Sequence, residues 1–157
     1  RTPYPTRRAL FYGTEDSTRR SGFRFGLVFL GGRIPETAAA LTQRHVGTVV
    51  SLFGWDFQHQ LGRNPGGPQP IMDLVFGLGG LEQGLALPTV STVIGLRMPN
   101  DFEFGIGPNF SAVGPALVLA AGFTRHMGSV NVPIDLAVVP SALGTRVSLT
   151  TGFNVMR

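Results

Sequence analysis

The chain has no cysteine among its 157 residues, so disulfide scaffolds, thiol nucleophiles and Cys-based metal centres are excluded. It has no lysine either: all 13 basic residues are Arg, which removes any phosphate loop that ends in a Lys. Charge of both signs is scarce, at 14% of residues against the roughly 25% usual in soluble globular domains. A lone soluble domain needs a charged surface to stay dispersed, so this deficit has to be explained. Tyr and Trp are nearly missing, with only Tyr4, Tyr12 and Trp55, whereas Phe numbers 12. No run approaches the roughly 20 uninterrupted apolar residues that a membrane helix requires.

What is abundant is Gly, at 22, and Pro, at 12. They point to many turns and close-packed strands rather than to a helical bundle. The glycines follow no period of three, which excludes collagen. Five of the 13 Arg lie in the first twenty residues, so the net charge of +4 describes a basic tail more than a basic fold. The chain starts at Arg1 rather than Met, and a processed form whose targeting segment is gone is the expectation.

Residues 1–21 are polar, contain Pro and show no periodicity, and are read as a tail or linker; residues 22–157 form the second unit. From Gly22 onward the pattern has period two. In 101–110, Phe102, Phe104, Ile106 and Phe110 alternate with Asp101, Glu103, Gly105, Gly107 and Asn109. Such alternation marks a strand between two different environments. The same pattern covers 22–30, 129–138 and 145–155, and less cleanly 49–60, 71–78, 89–97 and 115–124. Turn signals separate them at Asn64-Pro65-Gly66-Gly67, Pro99-Asn100-Asp101, Val113-Gly114-Pro115 and Met127-Gly128. The longest break, 31–44, holds Thr37 to Gln43, which suits one or two helical turns. The prediction is an all-β, antiparallel up-and-down barrel of about eight strands.

The two faces differ in kind. One carries Phe23, Phe25, Phe53, Trp55, Phe57, Phe102, Phe104 and Phe153, and is assigned to lipid or to a partner protein. The other is mostly Gly, Ala, Ser, Thr and Asn, with isolated charges of both signs: Arg24, Asp56, Asp73, Arg97, Glu103, Asp135 and Arg146. Small residues suit the narrow interior of an eight-stranded barrel. The charges are expected to meet there as a mutually satisfied lumen network.

With this pattern of strands and internal charges, residues 22–155 resemble the small outer-membrane β-barrels of Gram-negative bacteria, the group that includes the OmpA and OmpX barrels. The terminal TTGFNVMR (150–157) is similar to the closing strand that the barrel-assembly machinery reads in that group, although it ends in Arg157 rather than an aromatic. The resemblance implies a transmembrane barrel in the bacterial outer membrane, with lipid as its main partner. The shortage of Tyr and Trp, which usually form the interfacial belts of such barrels, keeps a second reading open. In it the barrel is a subunit of a larger surface assembly whose apolar exterior is buried between subunits. A narrow pore is a third.

Little in the sequence points to catalysis. His45, His59 and His126 have no metal-binding spacing, and no nucleophile-elbow glycine–serine–glycine pattern occurs. Gly77-Leu78-Gly79-Gly80 lacks the strand–helix context of a dinucleotide site. Asp101 and Glu103 share a face, but pairing with Arg97 or Arg146 is the expected use of both. The tail arginines Arg7, Arg8, Arg19 and Arg20 are assigned to anionic lipid head groups or to a neighbouring subunit. The expectation is therefore a structural or interaction protein without enzymatic activity, cofactor, metal or nucleic-acid partner.

Overall fold

All eight predicted strands form. The computed structural model describes residues 19–156. Its strands are β1 (Arg19–Leu30), β2 (Val49–Gln60), β3 (Gln69–Gly79), β4 (Leu87–Arg97), β5 (Phe102–Ser111), β6 (Gly114–Met127), β7 (Val130–Ser141) and β8 (Gly144–Met156). Each pairs antiparallel with its chain neighbour, and β8 returns to β1, closing the sheet. The closing ladder runs from Arg20↔Met156 to Leu30↔Arg146. No strand edge is left open in this sheet.

Strand β1 begins earlier than the sequence suggests. Arg19, Arg20 and Ser21 belong to it rather than to a tail, pairing with His59, Gln58 and Phe57 of β2. The alternation of Phe23 to Phe29 simply continues backward through them. Arg7 and Arg8 lie outside the described residues.

Three strand connections (β5–β6, β6–β7 and β7–β8) are two-residue turns, and Gly128 in the β6–β7 turn takes φ 66, a left-handed conformation that favours glycine. The β7–β8 turn, at 142–143, carried no strong signal in the sequence. The longest connection joins β1 to β2. There the break at 31–44 forms helix α1 (Ile34–Thr42), one residue shorter at its far end and three longer at its start than the TAAALTQ segment. Pro35 sits in its first turn, where a missing N–H costs nothing. Ile34 and Ala38 share one helix face and are almost fully buried against Leu30, Val46, Val50 and Leu85. The Arg33 N–H donates to the Leu143 carbonyl at 2.6 Å, tying the start of the helix to the β7–β8 turn. Helix α1 therefore caps one end of the barrel. The chain enters β1 and leaves β8 at the other, here called the terminal end.

A 3-10 turn, Leu81–Gln83, follows β3 at the capped end. The Ser51 hydroxyl and N–H both donate to the Glu82 carboxylate, the latter at 3.0 Å. These bonds hold that carboxyl below its ordinary range. A depressed carboxyl stabilises the fold at neutral pH, and that contribution fades as pH falls through the lowered value.

The β4–β5 ladder is interrupted beside Pro108: registered pairs stop at Ser91↔Asn109 and resume at Ile94↔Ile106. Proline has no N–H to donate to a ladder. At this point the strands pinch together, and a Cβ added to Gly107 would lie 1.8 Å from the Thr92 carbonyl oxygen. Gly107→Ala should therefore destabilise the barrel by at least about 2 kcal/mol in reversible urea unfolding. Gly62→Ala, whose new Cβ would meet only Pro70 Cγ at 3.6 Å, should stay within about 0.5 kcal/mol of the parent. Equal effects would mean that the close approach at Gly107 does not exist.

Candidate functional site

The two faces of the sheet are the inside and outside of the barrel. Phe23, Phe25, Phe53, Trp55, Phe57, Phe102, Phe104 and Phe153 are all exposed on the outer face. Rings on β1 to β3 pack side by side, from Phe25 through Phe23, Trp55 and Phe57 to Phe76, with centroids 6.1–6.5 Å apart. The alternation places only two described strand charges outward, Arg19 at the start of β1 and Arg125 near the end of β6, with His59 beside Arg19. All three lie at the terminal end. From there to the capped end the outer rows hold Phe, Leu, Ile, Val, Trp, Met, Pro, Ala and a few Ser and Thr.

Inside, the chemistry is layered. In the terminal half Arg24 is the hub. Its Nη2 donates to Asp56 Oδ2 at 2.7 Å, its Nε to Asp135 Oδ2 at 3.1 Å, and its Nη1 to Asn154 Oδ1 at 2.7 Å. These partners lie on β2, β7 and β8, so one guanidinium on β1 ties together both sides of the seam. A second group joins β2, β4 and β5: Arg97 donates to Glu103 and Gln58, and Gln58 Nε2 donates to Glu103 Oε2 at 2.8 Å. Asp73 also lines the lumen but forms no ion pair among the described residues, and its Oδ1 is buried without a partner.

Three assignments differ from the sequence reading. Arg146 lies inside the barrel yet meets no carboxylate: its Nη2 donates to Asn109 Oδ1, at the level of Leu30 and Val139. Strand β8 enters the barrel at the capped end, so Arg146 sits far along the axis from the acidic cluster. Asp101 does not reach the lumen network either. It stands in the β4–β5 turn with φ 63 and pairs with His126 Nε2 at 2.7 Å, while Asn131 holds Nδ1 at 2.6 Å. Conversely, Arg20, assigned to the tail, is on the inward face of β1, with Nε and Nη1 buried and unpartnered among the described residues. Its even-numbered spacing from Arg24 was the signal available for that placement.

Between the Arg24 layer and the helix cap the walls turn apolar. Val93, Val118 and Val139 pack there with Ala116, Ala120 and Ala137. They border a cavity of about 170 Å³, which a smaller one of about 60 Å³ continues beneath α1. The lumen is thus obstructed by side chains at one end and covered by a helix at the other. Among the described residues no three His, Asp or Glu side chains converge as a metal site, and no helix is long and apolar enough to cross a membrane.

Removing the hub tests whether the layer is a single network. Arg24→Ala leaves the buried Asp56 and the half-buried Asp135 without their cation, and should destabilise the fold by about 3–5 kcal/mol. Arg19→Ala, on the outer face, should change it by less than about 0.5 kcal/mol. Urea unfolding of both variants under the same conditions makes the comparison; an Arg24→Ala loss below about 1 kcal/mol would place that guanidinium in bulk water.

No protein-family model matches this chain, and neither a curated protein nor a solved structure matches it.

Proposed function

We propose that this protein is a membrane-spanning β-barrel of the bacterial outer membrane, with a structural or interaction role. One observation carries the proposal: a continuous outer surface of large apolar side chains on the strands, with charge, among the described residues, confined to the two rims, as at Arg19 and Arg125 on the terminal one and Glu82 on the capped one. In water such a surface would drive association, since monomeric soluble proteins rarely expose apolar patches beyond a few hundred Å². In lipid it is the stable arrangement, and closure satisfies the backbone groups that hydrocarbon cannot. The dimensions agree. Strands of 10–14 residues meet the length needed by tilted spanning strands, about 9–11 residues. A twelve-residue strand such as β1, rising about 3.4 Å per residue at a tilt near 40°, extends roughly 30 Å along the axis.

Within this reading Arg19, Arg125 and His59 stand at the head-group level of one rim, where their charged or polar ends meet lipid phosphate. Arg7 and Arg8 would extend that basic zone toward lipid or a neighbouring subunit. The filled terminal half of the lumen and the helix over the opposite mouth favour a plugged barrel over a conducting one. His126 has Asp101 and Asn131 as neighbours rather than a nucleophile, which favours a non-enzymatic role.

Cell fractionation followed by gel electrophoresis tests the proposal. The protein should remain with outer membranes, need detergent for extraction, and migrate differently with and without boiling, because a closed barrel resists unfolding by the gel detergent. Recovery in the soluble fraction without detergent, or elution as a large particle, would replace lipid by protein as the cover of the outer face.

A further inference from the structure

Arg146 is a cation without a counter-ion among the described residues. Among the described residues, its one side-chain hydrogen bond goes to the neutral Asn109, whose own Nδ2 donates to Thr89 Oγ1 at 2.9 Å and Ser91 Oγ at 2.7 Å. Its Nε is buried and unpartnered, and Nη1 makes no hydrogen bond among the described residues. The two buried guanidinium groups of the lumen, Arg24 and Arg97, each reach a carboxylate, whereas Arg20, half-buried like Arg146, reaches none among the described residues and stands at the terminal end. A buried charge left uncompensated is destabilising, and an ionic partner relieves that. The guanidinium also borders both the 170 Å³ cavity and the smaller cavity under α1.

We infer that Arg146 and the apolar middle of the lumen form a binding site for a small hydrophobic monocarboxylate. The guanidinium would receive the carboxylate through charge-assisted hydrogen bonds, and the apolar body would lie against Val93, Val118 and Val139. Size supports this class, since a cavity of about 150 Å³ accommodates benzene; the carboxylates that also line the space, among them Asp56 and Asp135, lie toward its terminal end, away from Arg146. Charge supports it too. One guanidinium among neutral amide and hydroxyl groups suits a monoanion, whereas a phosphate dianion calls for a second cation, and Arg20, the other inward guanidinium without a carboxylate among the described residues, stands at the terminal end beyond the Asp56, Asp73, Glu103 and Asp135 layer. A bare halide would satisfy Arg146 but leave the apolar walls unfilled. The inference concerns the interior alone and stands or falls separately from what surrounds the barrel.

Benzoate is the probe. Calorimetric titration of the full chain in a non-ionic detergent should show saturable one-to-one binding of benzoate, with benzyl alcohol at least tenfold weaker. Arg146→Gln should weaken benzoate at least tenfold. Val118→Phe, which fills the cavity and keeps the cation, should do the same, circular dichroism confirming that both variants retain the β-barrel. Absence of saturable benzoate binding to the parent chain overturns the site. So does equal affinity in Arg146→Gln, or chloride competing as well as benzoate while Val118→Phe has no effect.

Discussion

An eight-stranded barrel has room inside for side chains but not for large ones from every strand, and the rest of this structure follows from that restriction. Bulky residues must point outward, and the inner face must be built from Gly, Ala, Ser, Thr, Val and a limited number of long polar chains. Where strands approach most closely even a methyl group is too large, as at Gly107 against the Thr92 carbonyl. In this chain the large outward residues are mostly Phe, Leu, Ile and Val, so the exterior they build is apolar.

The interior solves its electrostatic problem unevenly. In the terminal half, Arg24 and Arg97 reach carboxylates on adjacent strands and, from Arg24 past β8, on β7, with Gln58 and Asn154 supplying the remaining bonds. This arrangement crosses the β1–β8 seam, so it reinforces closure as well as neutralising charge. Toward the capped end the walls become valine and alanine, and α1 seals the mouth by inserting Ile34 and Ala38. The lumen therefore consists of a polar plug, an apolar chamber and a hydrophobic lid, with Arg146 as the one cation in the upper part.

Period-two patterning made the strands legible, because each face of a closed sheet meets a different medium. Phe102, Phe104 and Ile106 against Glu103, Gly105 and Gly107 needed no further information. The same logic identified which charges would face inward, but not which would meet. Arg24 bonds Asp56 and Asp135, 32 and 111 residues away, and only the register across several strands puts them at one height. Height along the axis is also why Arg146 was expected to find a carboxylate and does not. The start of β1 was hidden because Arg19, Arg20 and Ser21 are polar on both faces. Helix α1 was partly visible from its alanines, while its role as a cap depends on Ile34, which lay outside the segment marked as helical.

The central claim is that the outer face lies in hydrocarbon, and Trp55, the single tryptophan of the chain, reports on it directly. It is exposed at 44% on the outer face, midway along β2. The decisive measurement is its fluorescence in vesicles containing lipids brominated along their acyl chains, compared with quenching by aqueous iodide. Strong quenching by the brominated chains with little effect of iodide is the result expected. Quenching by iodide, with none from the brominated lipids, would contradict a lipid-facing exterior.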